Sequence, residues 1–329
     1  MVAKVMRVAA QLAPWAIVGG LAYAAAFIRP SVEPLPLPQP LNEPRDLFYD
    51  VSVSDSGHYW FAGNNGLVLE AGKTLENWRR HEMPEVVNLQ GIASADNGTV
   101  VAVGNAGWTF RKHRDEEWKS LQLPVSEIAG KLIKLAWIDG HFWAIGEMGA
   151  IFRSDHRAEE WEKLSIEGDV ALNDITRAIS GDLWITAEFG TLYHSRDGGR
   201  SWDSVELGQE SLRSVEFYGD QGIIVGNGGV IFQSLDSGAT WQPVSSPTNE
   251  HLYDVIRDDG RWLATGNGGV LLGSEDGALW ELIQPHNFAN GYHARLLPSG
   301  DGVVVAGQTI GLLSGGDWQV WPDDMVGDI

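Results

Sequence analysis

The chain contains no cysteine. That excludes disulfides, thiolate metal sites and cysteine nucleophiles, and leaves the redox compartment open. Basic residues are scarce: 23 Lys and Arg stand against 44 Asp and Glu, for a formal net charge of −21. A field of that sign repels nucleic-acid phosphates and anionic lipid headgroups, so nucleic acid is not an expected partner and a basic or neutral one is. The nine His are scattered, with no His-x-His or His-Glu-x-x-His spacing, so no metal site is expected. No glycine-rich loop opens a helix, and no Ser-His-Asp arrangement stands out from chance. No cofactor and no catalytic residue is therefore assigned.

Two residue types are abundant instead. The 40 Gly and 15 Trp combine many positions that tolerate positive φ with many large apolar plates. That mixture suits numerous short strands joined by tight turns.

The N-terminus is the one exception. Residues 8–28 carry no charge over 21 positions, preceded by Lys4 and Arg7 and followed by Arg29. As a helix this stretch is long enough for a bilayer core, and the flanking charges put the N-terminus in the cytoplasm. Residues 1–29 are thus expected to be a transmembrane anchor or a cleaved signal segment, with Ala22-Tyr23-Ala24 or Ala24-Ala25-Ala26 as small-residue sites for cleavage. Either way the remainder is exported, as an inner-membrane-anchored periplasmic domain or as a secreted periplasmic form. Residues 30–46 hold Pro30, Pro34, Pro36, Pro38, Pro40 and Pro44, which predicts an extended spacer.

From residue 47 a repeat is legible. Trp78, Trp118, Trp161, Trp202, Trp241, Trp280 and Trp318 recur at gaps of 40, 43, 41, 39, 39 and 38. A glycine turn precedes most of them by 11 or 12 residues, at Gly66, Gly107, Gly149, Gly190, Gly229 and Gly269. In the last unit Gly311 is only 7 residues away, which predicts an abbreviated last blade. Upstream of each turn runs an apolar strand, and further upstream a Leu-x-x-aliphatic element such as Leu89/Ile92, Leu212/Val215 and Leu252/Val255. The first unit offers Phe48/Val51 and the seventh His293/Leu296. One unit reads as four strands; in the fifth they are 212–218, 222–226, 230–234 and 240–244. Four strands per 40 residues, seven times, predict an all-β, seven-bladed β-propeller over residues 47–322, with a tail at 323–329. The seven Trp residues are expected to pack structurally between blades.

Ser195-Arg-Asp197-Gly-Gly-Arg-Ser-Trp202 and Ser234-Leu-Asp236-Ser-Gly-Ala-Thr-Trp241 fit the Asp-box pattern, and Ser274-Glu-Asp276-Gly-Ala-Leu-Trp280 fits it with one residue missing. An Asp in such a hairpin caps its own backbone N–H groups, so Asp197, Asp236 and Asp276 are expected to be structural. The unit LRSVEF…IIVGNGGVIFQSLDSGATWQPV resembles the photosystem II stability/assembly factor family, a branch of the BNR and sortilin-like propellers, over about residues 47–321. The resemblance implies a non-enzymatic scaffold that contacts a protein partner, an envelope membrane protein, in the assembly or support of a membrane complex. Similar bacterial proteins stand near RND-type exporters, which implies as an alternative an accessory subunit of such a transporter. Photosynthetic members use an arginine-rich face, from which this acidic chain departs. A third reading is a sialidase-like glycoside hydrolase or glycan-binding protein, since Asp-boxes occur there too. Sialidases have six blades and an opening Phe/Tyr-Arg-Ile-Pro; the only similar run here, Phe27-Ile28-Arg29-Pro30, has the wrong order and sits in the apolar segment.

In a propeller the first strand of each blade lines a central channel. The residue before the second aliphatic position recurs as Asp50, Gly91, Lys134, Asp174, Ser214, Asp254 and Arg295, a polar ring of mixed sign. With Tyr49, Arg213 and Tyr253 beside it, and with Arg177 and Arg257 further along their strands, this ring is the expected partner-binding set at the channel mouth. Glu147 and Glu188 replace the Asn of the glycine turn in the third and fourth units and read as drift.

Overall fold

The structure is a computed structural model and describes residues 2–27, 40–164 and 166–321. Two compact units divide the chain, residues 1–40 and 41–329. In the first, helix α1 spans Val2–Phe27 and includes Pro14. Its 26 residues extend about 39 Å at 1.5 Å per residue. Its side chains from Leu12 to Tyr23 are exposed. Among the described residues, no helix is long and apolar enough to cross a membrane. The side chains of Lys4, Arg7 and Arg29, spacer residues 30–39 and the tail 323–329 lie outside the described residues.

In the second unit the described strands form seven four-stranded sheets. They fall at residues 48–81, 89–122, 132–163, 172–206, 212–244, 252–282 and 293–321, here blades 1 to 7. Each is a simple antiparallel meander in sequence order, the shortest connection available to a strand that must pair with its neighbour. Blade 5 runs Leu212–Tyr218, Gln221–Gly226, Ile231–Ser234 and Gln242–Val244. The first strand of each blade packs on that of the next, and the first strand of blade 7 on that of blade 1, so the ring closes.

Closure is driven by burial. A single blade has two apolar faces and can cover neither alone. Seven apolar clusters result, each drawing on two adjacent blades. Blade 7 is built from its own consecutive strands, so no strand is exchanged across the seam. Val304, Ala306 and Ile310 pack against Phe48, Phe61 and Leu69 there.

The periodic Trp residues stand at or just before the fourth strands. Trp118, Trp280 and Trp318 are buried, and Trp78, Trp161, Trp202 and Trp241 are partly so. A second set has its own phase. Trp60, Trp143 and Trp184 lie three residues before the end of their second strands and face the following blade. Trp60 meets Trp118 edge-on at 6.0 Å, and Trp184 meets Trp241 at 6.1 Å. The Asp-box glycine lies beneath these rings: a Cβ on Gly238 would strike Trp184. Trp262 falls one residue earlier in its strand, so strand alternation turns it back toward blade 5, where its indole N–H reaches Gln221.

The Asn-x-Gly turns are single 3-10 turns with two successive residues at positive φ, such as Asn65 and Gly66 or Gly228 and Gly229. One expectation changes. In blade 7 Gly311 is not the turn. It lies within the strand Ile310–Ser314, where the Trp318 ring leaves no room for a Cβ. Gly307 closes the second strand there, pairing with His293 as Gly226 pairs with Leu212, and only Gln308 and Thr309 connect to the third.

Candidate binding site at the channel mouth

Each first strand opens with the same irregularity. Its first residue pairs with the end of the second strand, its third pairs one step further on, and the residue between has no partner. Such a bulge re-aims the extra side chain. The seven extra residues are Tyr49, Gln90, Ile133, Asn173, Arg213, Tyr253 and Ala294, one from each blade. All seven line one cavity of about 290 Å³, together with Lys131, Tyr292 and Arg295.

The lining contains no carboxylate. Arg213 donates from Nε to Asn227 Oδ1 at 2.8 Å and from Nη1 to Asn173 Oδ1 at 3.4 Å. Its partners are neutral amides, and no described carboxylate pairs with it. Tyr253 and Tyr292 stand 5.1 Å apart, ring to ring. Desolvation raises the Tyr49 and Tyr253 pKa values and pushes Tyr292 up to about 12, so all three hydroxyls keep their protons as donors. On an acidic body, the mouth is thus a donor-rich well with apolar walls. It can accept carbonyls, a carboxylate or an aromatic side chain.

One residue deeper lies a ring of charge. Lys134 Nζ is 3.4 Å from Asp50 and 4.0 Å from Asp174. Arg295 is 3.3 Å from Asp50 and 3.5 Å from Asp254. The carboxylates also reach across blades: Asp50, Asp174 and Asp254 accept from the backbone N–H groups of Ile92, Val215 and Leu296 at 3.0, 3.2 and 2.7 Å. Ser214 Oγ lies 3.0 Å from both Asp174 and Asp254 but has one proton to give. Burial raises the Asp254 pKa. These groups hold one another and tie the blades together, so they floor the well rather than present free charge. Below them Glu216, two residues after Ser214 on the same side of its strand, has its pKa pushed up to about 8 by burial and by Asp174 and Asp254.

The expected mouth set therefore separates into three levels. Tyr49, Arg213 and Tyr253 line the mouth. Asp50, Lys134, Asp174, Asp254 and Arg295 form the ring, with Arg295 touching both levels. Arg177 and Arg257 are not at the mouth: each lies at the other end of its strand, as five or more residues at 3.3 Å each require. Arg177 pairs with Asp139 at 2.7 Å, and Arg257 lies over Tyr218 and Trp262. Gln90, Ile133, Asn173, Ala294, Lys131 and Tyr292 were missed. The first four follow directly on the Leu or His that opens each inner strand, so the unit did mark them; only the bulge reveals that this position points inward.

The Asp-boxes lie at the hairpins between third and fourth strands. Asp236 Oδ1 accepts from Thr240 N at 2.8 Å, its Oδ2 from Thr240 Oγ1 at 2.7 Å, and Asp197 repeats the pattern with Ser201. Asp276 caps Ala278 and Leu279 N–H. These hydrogen bonds hold all three pKa values down. Glu147 and Glu188 have a role as well: they accept from the Lys131 and Ala171 N–H groups, as Asn64 does from Leu47. Among the described residues no cluster of three or more His, Asp or Glu could hold a metal ion.

The sequence profile described as "Photosynthesis system II assembly factor YCF48" matches residues 110–212 and 154–280, more than half of the chain. The chain belongs to this family. YCF48-type relatives named "Photosystem II assembly lipoprotein Ycf48" occur in Synechococcus sp. (strain CC9902), 23% identical over 73% of this chain and 77% of the relative, and in Parasynechococcus marenigrum (strain WH8102), 26% identical over the same shares. A solved structure of YCF48 bound to D1 peptide is similar with a TM-score of 0.65 and 21% identity, covering 80% of this chain and 89% of that one. A catalytically inactive virginiamycin B lyase from Staphylococcus aureus with quinupristin is also similar, with a TM-score of 0.71 and 15% identity over 80% and 92%. At these identities the solved structures speak to the fold alone.

Proposed function

We propose that the chain is a protein-binding scaffold for the assembly or support of a membrane complex, and that it holds a segment of a membrane-protein partner at the channel mouth. Family membership supports the assembly role, and the relative solved with a D1 peptide supports a peptide-like ligand. The observation that carries the site is the acid-free well to which all seven blades contribute one residue. Arg213 supplies a charge that no described carboxylate neutralises, and the tyrosines supply flat apolar walls with donor edges. Holding a segment this way needs no bond chemistry. Neither the family nor the relatives above point to an exporter, and the Asp-box carboxylates are engaged by their own hairpins, which leaves the exporter and hydrolase readings without support.

The named relatives are lipoproteins, whereas this chain has no cysteine to carry a sulfur-linked lipid. The uncharged stretch 8–28 is the proposed tether, with the propeller on the extracytoplasmic side and residues 30–46 as spacer. Alkaline extraction of membranes tests the tether: the full chain is expected in the pellet, and release into the supernatant would overturn it. The partner is tested by affinity capture from detergent-solubilised membranes. Wild type is expected to retain a membrane protein that R213A and Y253A lose; equal recovery by all three would refute the mouth as the site.

A further inference from the structure

Four exposed apolar residues on the mouth face share a local pattern. Val86, Ile128, Met148 and Phe189 are 75, 96, 41 and 67% exposed, and each directly follows a glutamate: Glu85, Glu127, Glu147 and Glu188. Val86 and Ile128 lie in the connections from blade 1 to 2 and from blade 2 to 3. Met148 and Phe189 are the first of two left-handed residues in the blade 3 and blade 4 turns, at φ +56° and +57°. The turns and connections lie on one face because the turn glycines bond to the connections: Gly66 donates to Val87, Gly107 to Gly130 and Gly149 to Val170, and Gly190 accepts from Leu207. Asn64 of the blade 1 turn bonds Leu47, two residues before Tyr49, which places this face at the mouth. The four residues thus follow one another over consecutive blades along one half of the rim.

At the equivalent turn positions blades 1, 5 and 6 place Asn65, Gly228 and Gly268, residues suited to positive φ. Blades 3 and 4 instead hold large apolar side chains out to solvent. Glu85 and Glu127 are exposed and pair with no described cation, as are Glu167 and Asp169 in the next connection. Among the described residues, the cations at these connections are Lys131, 4.0 Å from Glu147, and Lys163, whose ammonium donates to the Pro124 carbonyl at 3.4 Å; neither forms an ion pair with Glu85, Glu127, Glu167 or Asp169. Apolar tips set among carboxylates that outnumber the nearby cations match an apolar surface that carries positive charge and oppose an anionic lipid surface.

We propose that this half-rim docks a cationic amphipathic segment of a partner protein, its apolar side chains on Ile128, Met148 and Phe189 and its Lys or Arg residues toward the flanking carboxylates. The inference rests on the scaffold reading and names the partner's chemistry. Its variants lie outside the tyrosine well, so the two readings fail separately. The test uses the full chain and a labelled helical peptide of Leu and Lys, with a Leu and Glu counterpart, read by fluorescence anisotropy at two salt concentrations. Wild type is expected to bind the Lys peptide, more weakly at high salt, and not the Glu peptide. The charge-neutral double variant I128S/F189S should lose at least tenfold, whereas I179S/L279S, two equally exposed apolar residues on other loops, should not; thermal midpoints establish that both variants fold. Equal binding by wild type and I128S/F189S would show only acid-driven attraction and overturn the proposal. Binding of anionic vesicles that I128S/F189S abolishes would overturn it too, because the rim would then be a lipid surface.

Discussion

Glu216 offers a quantitative check on the channel. Its carboxyl, ordinarily titrating at 4.5, is pushed to about 8 by burial and by Asp174 and Asp254, against which Lys134 acts only in part. The folded protein therefore keeps a proton at neutral pH that the unfolded chain releases. At about 1.4 kcal/mol per pKa unit, this costs the folded state about 3 kcal/mol at pH 7 and about 5 above pH 8. Water admitted by the channel screens part of that, leaving about 2 to 3 kcal/mol at pH 7. The sign follows from the raised value. Below 4.5 both states hold the proton and nothing is lost; stability falls as pH rises from 4.5 to 8, then levels. Gln fills the same volume and does not titrate. E216Q should match wild type at pH 4, exceed it by about 2 to 3 kcal/mol at pH 7 and gain no more above pH 8. Urea unfolding followed by tryptophan fluorescence from pH 4 to 9 measures this difference. A gap independent of pH, or a variant less stable at every pH, would refute the picture of a protonated acid beneath the charged ring.

Three further outcomes follow from packing and pairing. W118A should lose about 3 to 5 kcal/mol by chemical denaturation, because Trp118 is buried edge-on to Trp60 at the interface of blades 1 and 2. R295M should lose about 3 to 5 kcal/mol at neutral pH, since it leaves Asp254 buried without its ion-pair partner, and should recover part of that loss as falling pH protonates Asp254, whose pKa burial already raises. F189G should gain about 0.5 to 1 kcal/mol, the relief of a left-handed non-glycine residue less the added freedom of the unfolded chain, while weakening docking at the rim.

The sequence by itself determined the number of blades, the four strands in each and the Asp-box hairpins. Those features are local: one indole per unit, glycine where φ must be positive, and an aspartate within reach of its own backbone. It also brought Tyr49, Arg213 and Tyr253 into view, through their place beside the polar residue that recurs in each inner strand. Tertiary structure alone decided which residues share a level of the channel. A single bulge at the start of every inner strand moves one side chain per blade to the mouth and the next into the ring, and strand rise carries Arg177 and Arg257 to the far end. It also decided that Trp60, Trp143 and Trp184 form a second interface set while Trp262 turns the other way, because a shift of one residue in a strand reverses the face. Spacing along a chain records period and composition; which side a residue faces, and what it meets across a ring closed between residues more than 200 apart in sequence, is fixed only when the blades pack.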